Sequence, residues 1–196
     1  MELVIIVFAY LLGAVPSGYV LGRLAGVDVR KTGSGNVGAT NVARVVGKRQ
    51  GVLTLLFDMA KGLLPVVLGR KMDLGTTAIA ITGIAAFIGH LYPVYLRFKG
   101  GKGVATALGV LLALAPLATG VLLLVFAIVV GCSRIVSLGS IVAAAAVPVT
   151  LWALSYPPQL IGVGALLGAM IIWRHRTNIQ RLLAGNEPRF GSVNSR

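Results

Sequence analysis

Apolar residues run along this chain in blocks of membrane length: Met1 to Leu24, Gly51 to Gly69, Leu74 to Leu96, Val104 to Cys132, Ile135 to Ser155 and Pro158 to Trp173. A hydrocarbon core about 30 Å thick needs about 20 mostly apolar residues per helix, so each block reads as membrane helix. The polar segments Asp28 to Gln50, Arg97 to Gly103 and Ser133 to Ser140 separate them, and a basic tail begins at Arg174. The pattern predicts an all-α polytopic bundle forming one integral membrane domain over residues 1–196. The first block opens on Met1-Glu2, with no basic leader and no small-residue cleavage site before a soluble domain. It is therefore read as a retained helix and not a signal peptide.

The block Val104 to Cys132, at 29 residues, is long for one span and short for two. Charge decides between them, because Lys and Arg collect on the cytoplasmic side. A single crossing would put Arg134 and the tail arginines, Arg174 to Arg196, opposite the first loop and nearly erase the bias. Two short helices turning near Pro116 leave only Arg70 and Lys71 outside, with Lys61 inside the second span. The expectation is about seven transmembrane helices, N-terminus out and C-terminus in. Short or broken helices at membrane depth are tolerated where they line a cavity, so this pair is expected to border a site.

Composition agrees: 57% apolar, 12% charged and a mean hydropathy of +0.91, against about 45–50% and 25% in soluble domains. The net charge of +13 would suggest nucleic acid in a soluble protein. Here the basic residues lie between apolar blocks, and a nucleic-acid partner is not expected. The single cysteine, Cys132, allows no internal disulfide and is read as a small buried apolar residue. No His, Cys and carboxylate cluster suggests a metal, and no cofactor is called for.

On this threading the polar segments meet on the cytoplasmic side. Gly33-Ser34-Gly35-Asn36-Val37-Gly38 spells the dinucleotide pattern GxGxxG, but that fingerprint needs a strand and a βαβ unit that a chain of membrane helices cannot supply. What remains is an anion cradle. Gly33, Gly35 and Gly38 let backbone amides converge, Ser34, Asn36, Thr40 and Asn41 add hydroxyl and amide groups, and Arg44 can take a phosphate in a bidentate fork. The same glycines would equally serve tight turns between helices. In Lys99-Gly100-Gly101-Lys102-Gly103 the glycines and lysines open an apolar helix, where backbone amides and Lys102 suit a phosphate. Gly103 stands where a nucleotide-binding P-loop needs Ser or Thr, and no acidic residue is near for magnesium. A small phosphorylated substrate fits better than a nucleotide, and ordinary basic flanking accounts for the lysines but not the glycines. In the tail, His175 and Asn178 share a face if helical, beside Arg174, Gln180 and Arg181; a lipid-attracted basic tail reads equally well. Ser137 and Ser140 are available in the remaining loop.

Asp58 and Lys61, three residues apart inside the second span, read as a structural ion pair facing the bundle interior, with a catalytic pair as the alternative. His90, near the end of the third block, reads as a capping or packing histidine, with direct proton transfer as the alternative.

GAVPSGYVLGRLAGVDVRKTGSGNVGATNVARVVGKRQGVLTLLFDMAKGLLPV, GHLYPVYLRFKGGKGVAT and HRTNIQRLLAGNEPRFG together resemble, in order and over nearly the whole chain, the bacterial acyl-phosphate:glycerol-3-phosphate acyltransferases. The resemblance implies acyl transfer from acyl phosphate to the 1-hydroxyl of glycerol 3-phosphate in the bacterial cytoplasmic membrane, with the site facing the cytoplasm. It implies essential roles for Ser34 and Arg44, glycerol 3-phosphate binding by Lys99 through Gly103, and important roles for His175, Asn178 and Glu187, the last taken as structural.

The residue chemistry is compatible. Acyl phosphate carries a stable leaving group, so positioning and charge neutralisation by Arg44, Lys102 and backbone amides matter more than a covalent nucleophile. His175 is the best protein base, and a substrate phosphate oxygen is the alternative. Neither histidine is followed by H-x-x-x-x-D, and carboxylates for a Ser/His/Asp triad are scarce. A transporter of an organic phosphate would also want basic residues and broken helices, but no convincing inverted repeat is present. A CDP-alcohol phosphotransferase would need clustered aspartates, and Asp28, Asp58 and Asp73 are scattered.

Overall fold

A computed structural model describes residues 1–189, so Arg196 lies outside the described residues. Every regular element among them is helical. The chain divides into two compact units, Met1–Leu114 and Ala115–Arg196.

In the first unit, α1 (Glu2–Ala14) and α2 (Ser17–Leu24) occupy the block expected to be one continuous helix. Pro16 causes the break: it has no N–H to donate and pushes Val15 out of the helical region, to φ −58° and ψ 117°. After the first loop come α3 (Ala39–Val45), α4 (Lys48–Lys71) and α5 (Thr76–Leu91). A 3₁₀ turn over Val94–Leu96 leads into the second glycine loop, and α6 (Val104–Leu114) follows it. Ala115 then breaks the helix ahead of Pro116, at φ −146° and ψ 69°, by the same pre-proline effect.

The second unit holds α7 (Pro116–Ser133), α8 (Val136–Ala153), α9 (Pro158–Arg174) and α10 (Arg176–Leu183). Five stretches are long and apolar enough to cross a bilayer, Glu2–Leu24, Lys48–Lys71, Thr76–Leu96, Pro116–Ser133 and Val136–Ala153; Val104–Leu114 and Pro158–Arg174 are shorter apolar helices.

Lipid is as apolar as a leucine core, so helices here associate through close backbone approach more than through apolar burial. Glycines sit at the two main crossings of the first unit. A Cβ on Gly13 of α1 would strike the Ala86 backbone of α5, and one on Gly89 would strike Tyr10. Between α4 and α6, Gly62 faces the Thr106 carbonyl and Gly109 faces that of Met59. The outer faces stay apolar: Val4, Phe8 and Leu11 on α1 and Leu55, Phe57 and Leu64 on α4 are exposed. Cys132 is exposed too, contrary to expectation. It lies on a helix that is apolar all round, where an outward cysteine meets lipid as readily as an inward one meets protein.

Gly62→Val should therefore force α4 from α6 and destabilise the protein by about 1–3 kcal/mol or more. Gly120→Ala, at a position with open space around it, should leave stability unchanged. Thermal unfolding in detergent micelles checks the contrast.

Candidate active site

The first loop is built around one side chain. Asn41 of α3 is 2% exposed, and its Oδ1 accepts from the Ser34 N–H at 2.9 Å. Its Nδ2 donates to the carbonyls of Val29, Thr32 and Asn36 at 3.0, 3.2 and 2.9 Å. The Asn41 amide and the Ser34 N–H, which the sequence offered to a phosphate, are thus used inside the loop. Gly33 and Gly35 hold positive φ of 60° and 69°, which wraps the chain about Asn41 without side-chain penalty. Asn36 Oδ1 accepts from the Gly38 N–H at 2.8 Å, an Asx turn that starts α3.

The loop's opening is pinned separately. Arg30 gives Nε and Nη2 to the Asp28 carboxylate at 3.0 and 2.8 Å and lies over the Tyr19 ring at 4.3 Å. The hydrogen bond from Arg30 holds the Asp28 carboxyl far below its ordinary range, and Asp28 raises Arg30. Arg30 is committed, whereas Ser34, Thr40 and Arg44 face outward. Thr40 and Arg44, four residues apart, share one face of α3.

The second loop lies on the last turn of α5. Gly101 donates its N–H to the His90 carbonyl and Gly100 to that of Leu91, both at 3.2 Å. A Cβ on Gly101 would enter the His90 ring, and one on Gly103, at φ 85°, would enter the Phe87 ring. Lys99 is exposed and Lys102 half-buried. Leu96, in the turn that leads into the second loop, packs on the Val29, Val37 and Val42 cluster of the first.

Below them sits the buried polar group of the first unit. Lys61 Nζ donates to the Asp58 carboxylate at 2.9 Å and to the Val15 carbonyl at 2.8 Å. Asp58 also accepts from the Ser17 hydroxyl. Ser17 was not singled out from the sequence, although the Pro16-Ser17 step inside an apolar block was its signal. The adjoining cavity, about 10 Å³ between Ser17, Asp58, Lys61 and His90, admits about one water and no phosphate ester.

In the second unit, Glu187 gathers three donors: Ser137 Oγ at 2.7 Å and Asn178 Nδ2 at 2.6 Å on one oxygen, and Arg181 Nε at 2.7 Å on the other. His175 and Asn178 are both buried. His175 Nδ1 donates to the Ile171 carbonyl at 2.8 Å; a carbonyl only accepts, so Nε2 is the basic nitrogen of the neutral ring. Ser140 is buried and donates to the Val136 carbonyl at 3.0 Å.

The family model for glycerol-3-phosphate acyltransferases matches residues 3–185. The chain belongs to that family. A glycerol-3-phosphate acyltransferase of Syntrophotalea carbinolica is 53% identical over 95% of this chain and 96% of its own. One from Aquifex aeolicus is 46% identical over 96% and 98%. A crystal structure of PlsY (YgiH), an integral membrane glycerol 3-phosphate acyltransferase in its glycerol 3-phosphate form, is similar at a TM-score of 0.94 and 46% identity. The match covers 97% of this chain and 96% of that one. The lysophosphatidic acid form is similar at 0.91 and 45%, over 97% and 95%.

In this acyltransferase the Glu187 carboxyl titrates with a definite sign. Burial would raise it, but the hydrogen bonds from Ser137, Asn178 and Arg181, with the Arg181 charge, hold it below its ordinary 4.5. A folded value below the unfolded one contributes stability that is complete above the unfolded value and is lost as pH falls through the folded one. The melting-temperature gap between wild type and Glu187→Gln should stay constant above about pH 6 and shrink below about pH 4.5. A gap unchanged at the acid end would contradict this.

Proposed function

We propose that this acyltransferase moves an acyl group from acyl phosphate to the 1-hydroxyl of glycerol 3-phosphate, releasing lysophosphatidic acid and inorganic phosphate, without cofactor or metal. The observation that carries the reading is that Leu96, in the turn leading into the Lys99–Gly103 loop, packs on the valine cluster of the first loop, with Ser34, Thr40 and Arg44 facing out from the first loop and Lys99 and Lys102 on the second. Two substrates each bring a phosphate, and each segment offers a basic side chain, Arg44 in the one and Lys102 in the other. The amides and Lys102 at the start of α6 suit one phosphate dianion, and the Arg44 fork suits the other.

The chemistry balances within the substrates. The glycerol oxygen attacks the acyl carbon, the new ester C–O bond forms, and the acyl C–O bond to phosphate breaks with its electron pair leaving on phosphate. The hydroxyl proton passes to a substrate phosphate oxygen or to a protein base, for which His175 is the candidate. Arg44, Lys102 and backbone amides neutralise the developing charge. The Glu187 carboxylate orients Asn178, and Asn41 acts by shaping the first loop. Gly33, Gly35, Asn36, Gly38, Gly100, Gly101 and Gly103 serve as loop backbone, and Ser140 stands as a candidate lining residue.

Seven spans, N-terminus out and C-terminus in, with the loops on the cytoplasmic face of a bacterial inner membrane, suit the charge distribution. Labelling of a cysteine at position 135 from the outer face would overturn that orientation.

Arg44→Ala and Lys102→Ala should each lower kcat/KM by roughly 10²–10³-fold, read with labelled acyl phosphate on folded protein. Losses under about tenfold would remove them from the charge-bearing roles. Incubation with labelled acyl phosphate alone should give no acyl-enzyme; label trapped on Ser34 would replace direct transfer with a covalent route.

A further inference from the structure

The Asp58 and Lys61 pair is used by no step above, yet it is buried in a span where charge is costly. Its contacts explain where it sits. Lys61 binds the Val15 carbonyl at the C-terminal end of α1, and Asp58 binds Ser17 at the N-terminal end of α2. Cation on the carbonyl end and anion on the amide end is the favourable sense at both helix termini. From the same cluster the contacts run upward. His90 Nδ1 is 3.8 Å from Asp58 Oδ1, a contact longer than a hydrogen bond. The His90 ring in turn fills the space beneath Gly101, and its carbonyl receives the Gly101 N–H. Gly18, one residue past Ser17, abuts the Val37 carbonyl of the first loop.

We propose that Asp58, Lys61, Ser17 and His90 form a positioning network that sets the height of the Lys99–Gly103 loop for its phosphate ligand, with the His90 ring as the part that touches the loop. This rests on the reading that the loop binds a substrate phosphate. The four residues touch no substrate; they fix the floor on which Gly101 and Gly103 lie. Anion binding by backbone amides depends on their convergence to within about 0.5 Å, so a shift of the floor weakens ligand binding before it disturbs the fold.

The test uses full-length enzyme in detergent or nanodiscs. Lys102→Ala first identifies which substrate, glycerol 3-phosphate or acyl phosphate, the loop holds; if it raises neither KM, the underlying loop reading fails. Given that substrate, His90→Gln and the paired replacement Asp58→Asn with Lys61→Met, which leaves no unpaired buried charge, are compared with wild type for KM, kcat and melting temperature. Both variants should raise that KM by about tenfold or more while kcat stays within about threefold, and the other substrate's KM should move less. A network serving the fold alone would lower the melting temperature and leave the KM of the surviving enzyme unchanged, and that result overturns the proposal. Failure of both variants to fold overturns it as well.

Discussion

The structure turns on a break in its first membrane span and on the ion pair that makes the break tolerable. A helix interrupted at membrane depth leaves carbonyls and amides that lipid cannot satisfy. Lys61 and Asp58, one turn apart on α4, reach the two sides of the gap at Val15 and Ser17. Losing one partner would strand a buried charge at a cost of about 3–5 kcal/mol. The break frees α2 to turn toward the first loop, and α4 and α5, which carry the pair and His90, support the second.

Each polar centre is organised by one side chain that satisfies several partners at once. Asn41 spends its amide on four groups of its own loop. Glu187 does the same for the tail, accepting from Ser137, Asn178 and Arg181. Each hub is satisfied internally, which buried polar groups require. On the proposed reading, the outward Arg44 and Ser34 and the half-buried Lys102 carry the charge and hydroxyl chemistry.

Much of this was legible from residue patterns, and the gaps have physical causes. Helix content followed from block length. The division near Pro116 followed from where arginines must fall, and the structure breaks at Ala115 through pre-proline sterics. The equivalent step at Val15-Pro16 went unread, because the surrounding residues are apolar throughout and the caps come from α4, far away in sequence. Residue type identified Asn41 as a donor but not its direction, which the positive φ of Gly33 and Gly35 sets. Cys132 gave no cue to its exposure on a helix apolar on every face. The pairing of Asp58 with Lys61 was visible as an i, i+3 spacing; its attachment to Val15 and Ser17 was not.

On the proposed reading, the exposed Arg44 and the half-buried Lys102, beside two glycine-rich loops, bind and neutralise phosphates while the substrates supply the reactivity. Purified protein given labelled acyl phosphate and glycerol 3-phosphate, without added metal, tests that account most directly. It should yield lysophosphatidic acid and inorganic phosphate in equal amounts, with acyl-CoA a poor donor. Absence of lysophosphatidic acid, or equal rates from acyl-CoA, would contradict it.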